Sequence, residues 1–250
     1  MKSPIKWTGG KAREIKNFID LIPEYDIYIE PFFGGGALYW YLQPETAVIN
    51  DINIHLITFY NTLKDNYDDL YSYLQDMELS KEYFQKMVDK LNNKEYNNNI
   101  EQSAIFYYLN KTSFSGKWRV NSKGLYNNTW GNYKKENFKI LDKKYSELLK
   151  NTIILNEDYK NILNDYKYNA DTFIFLDPPY LNCDSMYTAN QKFESIYDFI
   201  YDYMQDCKNK VMLVCKGDEY IQDLFKDLVC LRYNIKYSHN SLSSIKNEHL

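Results

Sequence analysis

The chain has 250 residues, 44% of them hydrophobic, which suffices for one buried core or for a core with one insertion. Its 30 basic and 34 acidic residues leave a formal net charge of −4, so it lacks the overall basic excess that many nucleic-acid binders carry. The composition excludes a disordered chain, and no apolar run approaches the ~20 residues needed to cross a membrane.

In chain order, "AREIKNFIDLI" (12–22) has apolar residues at 15, 18, 19 and 22, which predicts a helix. "YDIYIE" (25–30) alternates and predicts a strand. "PFFGGGALYWYL" (31–42) reads as a glycine loop opening into a helix, "AVIND" (47–51) as a second strand, and "NIHLITFYNTLK" (53–64) as a helix. This alternation predicts a doubly wound, mostly parallel α/β sheet.

From 65 to 111 the rhythm changes to helices alone: "DDLYSYLQDM", "SKEYFQKMVDKLNN" and "IEQSAIFYYLN". The stretch 111–138, rich in Gly, Asn, Ser and aromatics, is too long for a plain connection and reads as a functional loop or insertion. Afterwards strands are expected at 151–158, 172–177, 210–215 and 229–237, with helices at 193–207 and 219–228. The organisation is one discontinuous α/β domain, 1–64 and 150–250, interrupted by a helical insertion at 65–149.

Some features carry little. Cys183, Cys207, Cys215 and Cys230 form no C-x-x-C pair and have no histidine at ligand spacing, so they read as reduced thiols, and no metal is called for. The 26 tyrosines, with frequent Asn and Lys, match the codon bias of an AT-rich genome. The N-terminus lacks the apolar segment of a signal peptide, so the expected compartment is cytoplasm or nucleus.

Three motifs carry chemistry. In "EPFFGGGAL" a strand ends at Glu30, and the glycines let the backbone turn tightly and a ligand approach it. Asp51 ends the next strand, where a carboxylate can accept from ribose hydroxyls, so the pair suggests a nucleoside-containing cofactor. The plain alternative is a tight turn with a helix-capping Asp; the G-x-G-x-x-G spacing of dinucleotide sites is absent. "DPPY" (177–180) follows a strand. Asp177 and the Pro178 carbonyl can accept from an exocyclic amine, while Tyr180 offers a face for a base to stack on. In "KWTGGK" (6–11), Trp7 and Lys11 flank a Gly-Gly turn and could pack on a purine and contact a carboxylate, or could simply start a helix.

With "NDIN" (50–53) and "YLNKTSFSGKWRVNSKG" (108–124), these motifs occur in the order found in the Dam-like class of DNA adenine-N6 methyltransferases, which the chain resembles from about residue 4 to about 237. The resemblance implies S-adenosylmethionine as methyl donor, held by Trp7, Lys11, Asp51 and Asp177 above a loop of Phe32, Gly34 and Gly36. Asp177, Pro178 and Tyr180 are the implied catalytic residues, acting on a flipped adenine in double-stranded DNA.

The insertion corresponds to the family's target-recognition region, where nine Lys and Arg residues lie between 111 and 144 against Glu136 and Asp142, interleaved with Phe114, Trp118, Tyr126, Trp130 and Tyr133. Implied DNA contacts are Ser115, Lys117, Arg119, Asn132, Tyr133 and Lys134, with Arg119 where the family reads a guanine. Ser115, Lys117 and Thr129 depart from the relative that reads GATC. The family usually closes with another strand after a stretch like "SSIKNEHL"; here either that strand is very short or the chain is truncated. Cytosine N4, adenine in RNA, or a non-catalytic DNA-binding relative remain as alternatives.

Overall fold

The computed structural model of the chain describes residues 1–180, 194–236 and 246–249. The first helical stretch is broken into a 3-10 turn at Lys11–Arg13, a single α-turn at Ile15–Phe18 (α1) and a second 3-10 turn at Ile19–Leu21, so the predicted helix over 12–22 is not continuous. Then follow β1 (Ile27–Glu30), α2 (Ala37–Leu42), β2 (Ala47–Asn50) and α3 (Ile54–Asp65). The helical segment comprises α4 (Tyr67–Gln75), α5 (Lys81–Asn92) and α6 (Asn99–Thr112).

The α/β alternation returns with α7 (Lys144–Leu149), β3 (Thr152–Leu155), α8 (Tyr159–Tyr166), β4 (Thr172–Leu176), α9 (Glu194–Asp206), β5 (Lys210–Leu213) and α10 (Glu219–Leu224). Two strands, β6 (Tyr233–Lys236) and β7 (Lys246–His249), pair antiparallel in a sheet of their own. Strand β7 lies within "SSIKNEHL" itself. Helices α7 and α8 were not anticipated. Cys183 lies outside the described residues.

The main sheet has the order β3-β2-β1-β4-β5, and each of its four pairings is parallel. The chain winds outward from β1 through β2 to β3, then resumes on the other side with β4 and β5. Between the carboxyl ends of β1 and β4 the winding reverses, and a doubly wound sheet opens its ligand crevice there. β2 and β4 are buried throughout and read as unbroken apolar runs because helices cover both faces.

Strand alternation sorts the core. Tyr28, Ala47, Ile49, Phe173 and Phe175 face α2, α3 and α6 in one cluster, while Ile29, Val48, Ile174 and Leu176 face α8 and α9 in another. Glu30, Asp51 and Asp177 share the sequence parity of the first set, so three carboxyls continue one face of the sheet at its carboxyl edge.

α6 is buried on nearly all sides, the mark of a helix inside a core. It packs on α3, with the Phe59 and Tyr107 rings stacked at 5.3 Å. The first cluster therefore runs without a break from the sheet into the helical segment.

Candidate active site

The glycine loop after β1 is built by close approach. Gly34 and Gly36 adopt positive φ of 48° and 60°. A Cβ on Gly34 would lie 2.6 Å from the Trp7 indole, and one on Gly36 would lie 2.3 Å from the Phe33 ring. Trp7 therefore lies on the loop, and "KWTGGK" is a cleft wall as well as a turn. The Tyr60 hydroxyl donates to the Gly34 carbonyl (3.2 Å) and the Trp40 indole N–H to that of Gly35 (3.1 Å), so aromatics beneath hold the loop.

Asp51 is buried and closes the cradle: Oδ2 accepts from the Gly34 N–H at 2.8 Å and Oδ1 from the Asn53 N–H at 2.9 Å. Burial pushes its carboxyl from an ordinary 3.8 up to about 6, against the pull of those two hydrogen bonds. Asn50 ties the loops together, donating to the Pro31 and Glu157 carbonyls (3.0 and 3.1 Å) and accepting from the Glu157 N–H (2.8 Å). Phe32 packs on Tyr159 with ring centroids 4.9 Å apart.

Across the crevice, β4 delivers Asp177 and the two prolines. Lys11, only 1% exposed, forms an ion pair with Asp177 Oδ1 and donates to the Gly9 carbonyl at 3.0 Å. Its ammonium also sits 4.9 Å from the centre of the Tyr180 ring. The Tyr197 hydroxyl of α9 donates to the Pro179 carbonyl at 3.2 Å, bracing the turn. One cleft is thus lined by Trp7, Lys11, Phe32, Gly34, Gly36, Asp51, Asp177, Pro178 and Tyr180, all the residues expected from the sequence to hold the donor or act in catalysis.

Glu30, Glu157 and Asp158 line the same cleft and were not among the expected residues. Glu30 is 3% exposed, and its Oε2 accepts from the Tyr28 hydroxyl at 2.7 Å. Both Glu30 and Asn50 are the last residues of their strands, the one signal that could have singled them out. The cleft thus sets five acidic side chains against the single cation Lys11 among the described residues. An acid-lined cleft fits a cationic nucleoside and disfavours the phosphates of a nicotinamide dinucleotide.

The stretch after α6 is no structureless loop. Its two arms pair at Ser113 with Trp130 and at Val120 with Tyr126, making an irregular ribbon that turns at Gly124. Trp118 and Tyr126, expected to face DNA, are buried: Trp118 packs against His55, Phe106 and Tyr126 at 4.9–5.4 Å and roots the ribbon on α3 and α6. Phe114 is 63% exposed. Ser115, Arg119, Asn132 and Lys134 are exposed, Lys117 is half-buried, and Ser115 and Asn132 adopt positive φ.

The ribbon is fastened beside the cleft. Asn110 of α6 accepts from the Lys6 N–H (2.9 Å) and donates to the carbonyls of Lys6 (2.7 Å) and Gly116 (3.2 Å). Lys6 Nζ donates to the Tyr133 hydroxyl at 3.0 Å. Burial and the neighbouring Lys6 lower the Lys111 ammonium to about 8. Of the basic strip, Lys139 pairs with Glu136 and Lys143 with Asp68. Among the described residues no group of three or more His, Cys, Asp or Glu is placed to hold a metal ion, and no helix is long and apolar enough to cross a membrane.

A parallel, doubly wound sheet with a glycine cradle after β1, an acidic residue after β2 and D-P-P-Y after β4 defines an amino-methyltransferase architecture. The family model for D12 class N6 adenine-specific DNA methyltransferases matches residues 7–241, and the chain belongs to that family of enzymes. It is 33% identical to the type II methyltransferase M.CviBI of Paramecium bursaria Chlorella virus NC1A, over 95% of this chain and 91% of that one. It is 37% identical to the type II methyltransferase M.MjaIII of Methanocaldococcus jannaschii, over 78% and 75%. With a DNA adenine methylase of Serratia marcescens it shares 29% over 74% and 70%.

Proposed function

We propose that the cleft binds S-adenosylmethionine and that the enzyme transfers its methyl group to the N6 of an adenine flipped out of double-stranded DNA. The observation that carries this reading is the acid-lined cleft in which the Gly34–Gly36 cradle and Asp51 stand opposite Asp177. When bound, the donor supplies an electrophilic methyl on a sulfonium. Asp51 accepts from the ribose hydroxyls, Trp7 packs along the donor, and Phe32 with the glycine loop supports its amino-acid part.

Adenine N6 is a weak nucleophile because its lone pair is delocalised into the ring. Asp177 and the Pro178 carbonyl accept from the amine's N–H groups and turn the lone pair towards the methyl. Lys11 fixes the Asp177 carboxylate, and Tyr180 stacks on the base. Positioning supplies most of the rate, with no covalent enzyme intermediate. In this reading, residues 1–64 and 150–250 are the catalytic domain and 65–149 the target-recognition insertion. Ser115, Lys117, Arg119, Asn132, Tyr133 and Lys134 contact DNA, and Arg119 reads a guanine edge.

The test is transfer of label from methyl-labelled S-adenosylmethionine to mixed-sequence double-stranded DNA, followed by digestion to nucleosides. Label is expected in N6-methyladenine, and Asp177→Ala should lose about 10²-fold or more of the rate. Label in cytosine, or an unimpaired Asp177→Ala, would overturn the assignment.

A further inference from the structure

Glu30 is a carboxyl in an unusual place. It ends β1, sits directly ahead of the glycine loop, lines the cleft and is 3% exposed. Among the described residues its one hydrogen-bond partner is the Tyr28 hydroxyl, which would donate equally well to a glutamine amide oxygen. The charge therefore stabilises nothing in the fold that a neutral isostere would not. Burying an ionised carboxylate without a cation of its own is costly.

The groups facing it come from every neighbouring element: Lys11 from the N-terminal turn, Asp51 after β2, Asp177 after β4, and the phenols Tyr28, Tyr39 and Tyr60. Lys11 is already committed to Asp177. We propose that Glu30 is a proton-linked binding residue for the cationic amino-acid end of the methyl donor, and that its carboxyl gives up a proton as that positive charge enters the cleft. This rests on the reading that the cleft holds S-adenosylmethionine.

The electrostatics support it. Burial drives the Glu30 carboxyl well above the usual range; Asp177 and Asp51 push the same way, while the Tyr28 hydroxyl and Lys11 oppose. A ligand carrying an ammonium and a sulfonium against one carboxylate adds net positive charge beside it and favours the ionised form. The Glu30 proton passes to solvent. Asp51, raised only to about 6, is largely ionised at pH 7 and contributes little.

Calorimetric titration of the whole chain at pH 7, in buffers of differing ionisation enthalpy, tests this. With S-adenosylmethionine the apparent enthalpy should vary with the buffer, reporting proton release. With 5′-methylthioadenosine, which lacks both cationic groups, it should not. Glu30→Gln should abolish the buffer dependence and weaken S-adenosylmethionine binding by about tenfold or more. Binding with no buffer dependence, or an unchanged dependence in Glu30→Gln, would overturn the role of Glu30 while leaving the donor assignment standing; no binding by the wild type would overturn both. Tyr28→Phe keeps the carboxyl and removes its hydrogen bond, so the pH at which release is greatest should move upward; an unmoved profile also overturns the proposal.

Discussion

Gly36 shows how little freedom the cradle has. Its φ of 60° suits glycine, and the Phe33 ring already fills the place of a Cβ. Gly36→Ala should cost about 2 kcal/mol from the left-handed backbone alone, a fall in Tm of roughly 4–8 °C by thermal melt. Asp51 makes the site pH-dependent. Its folded value, about 6, lies above its ordinary 3.8, so the stability it contributes is complete below pH 3.8 and lost as pH rises through 6. Relative to Asp51→Asn, the wild type should lose about 3 kcal/mol between pH 3.5 and 7, read from urea unfolding midpoints. Over the same rise donor affinity should increase, because the ionised carboxylate is the better acceptor for ribose hydroxyls; a flat titration would count against Asp51 as the ribose ligand.

At the scale of elements, each strand brings one chemical group to the same edge. Parity along β1, β2 and β4 puts Glu30, Asp51 and Asp177 on the face that also carries Tyr28, Ile49 and Phe175. The ribbon is set against that edge by α6, through Asn110. Asn110→Ala would remove hydrogen bonds to both Lys6 and Gly116, leaving the buried Gly116 carbonyl and the part-buried Lys6 backbone groups without that partner. We expect a loss of about 2–3 kcal/mol in denaturant unfolding and, because Lys6 adjoins Trp7, a weakening of both donor and DNA binding in separate titrations. Loss of one without the other would mean that the ribbon and the cleft wall are not mechanically joined.

Across the whole molecule the charges separate. The cleft is acidic, while the exposed ribbon and the segment after it carry Arg119, Lys123, Lys134 and Lys135. A chain of net charge −4 thus still carries a local basic surface, and in the proposed reading that surface meets the phosphate backbone. DNA affinity should fall steeply with salt. Lys134→Ala should reduce the log–log slope by about 1 with sequence preference unchanged, whereas Arg119→Ala should cost about 1–3 kcal/mol of discrimination at one guanine. Binding measured at several salt concentrations on matched and mismatched duplexes separates the two.

The local signals already determined much. Buried strands read as apolar runs, glycines marked the cradle because only they tolerate its backbone, and D-P-P-Y marked a strand end carrying an acceptor and a ring. Those features are short in sequence range and survive without knowledge of the partner. Tertiary structure decided what depends on neighbours. It buried Trp118 and Tyr126 as the root of the ribbon, because α3 and α6 close over them, whereas aromatic residues beside lysines had read as a DNA surface. It broke the first helix into single turns and placed Lys11 against Asp177, a pairing 166 residues apart. It also brought Glu30 into the cleft, since a carboxyl at a strand end acquires its burial, and hence its chemistry, only from the strands and loops that pack around it.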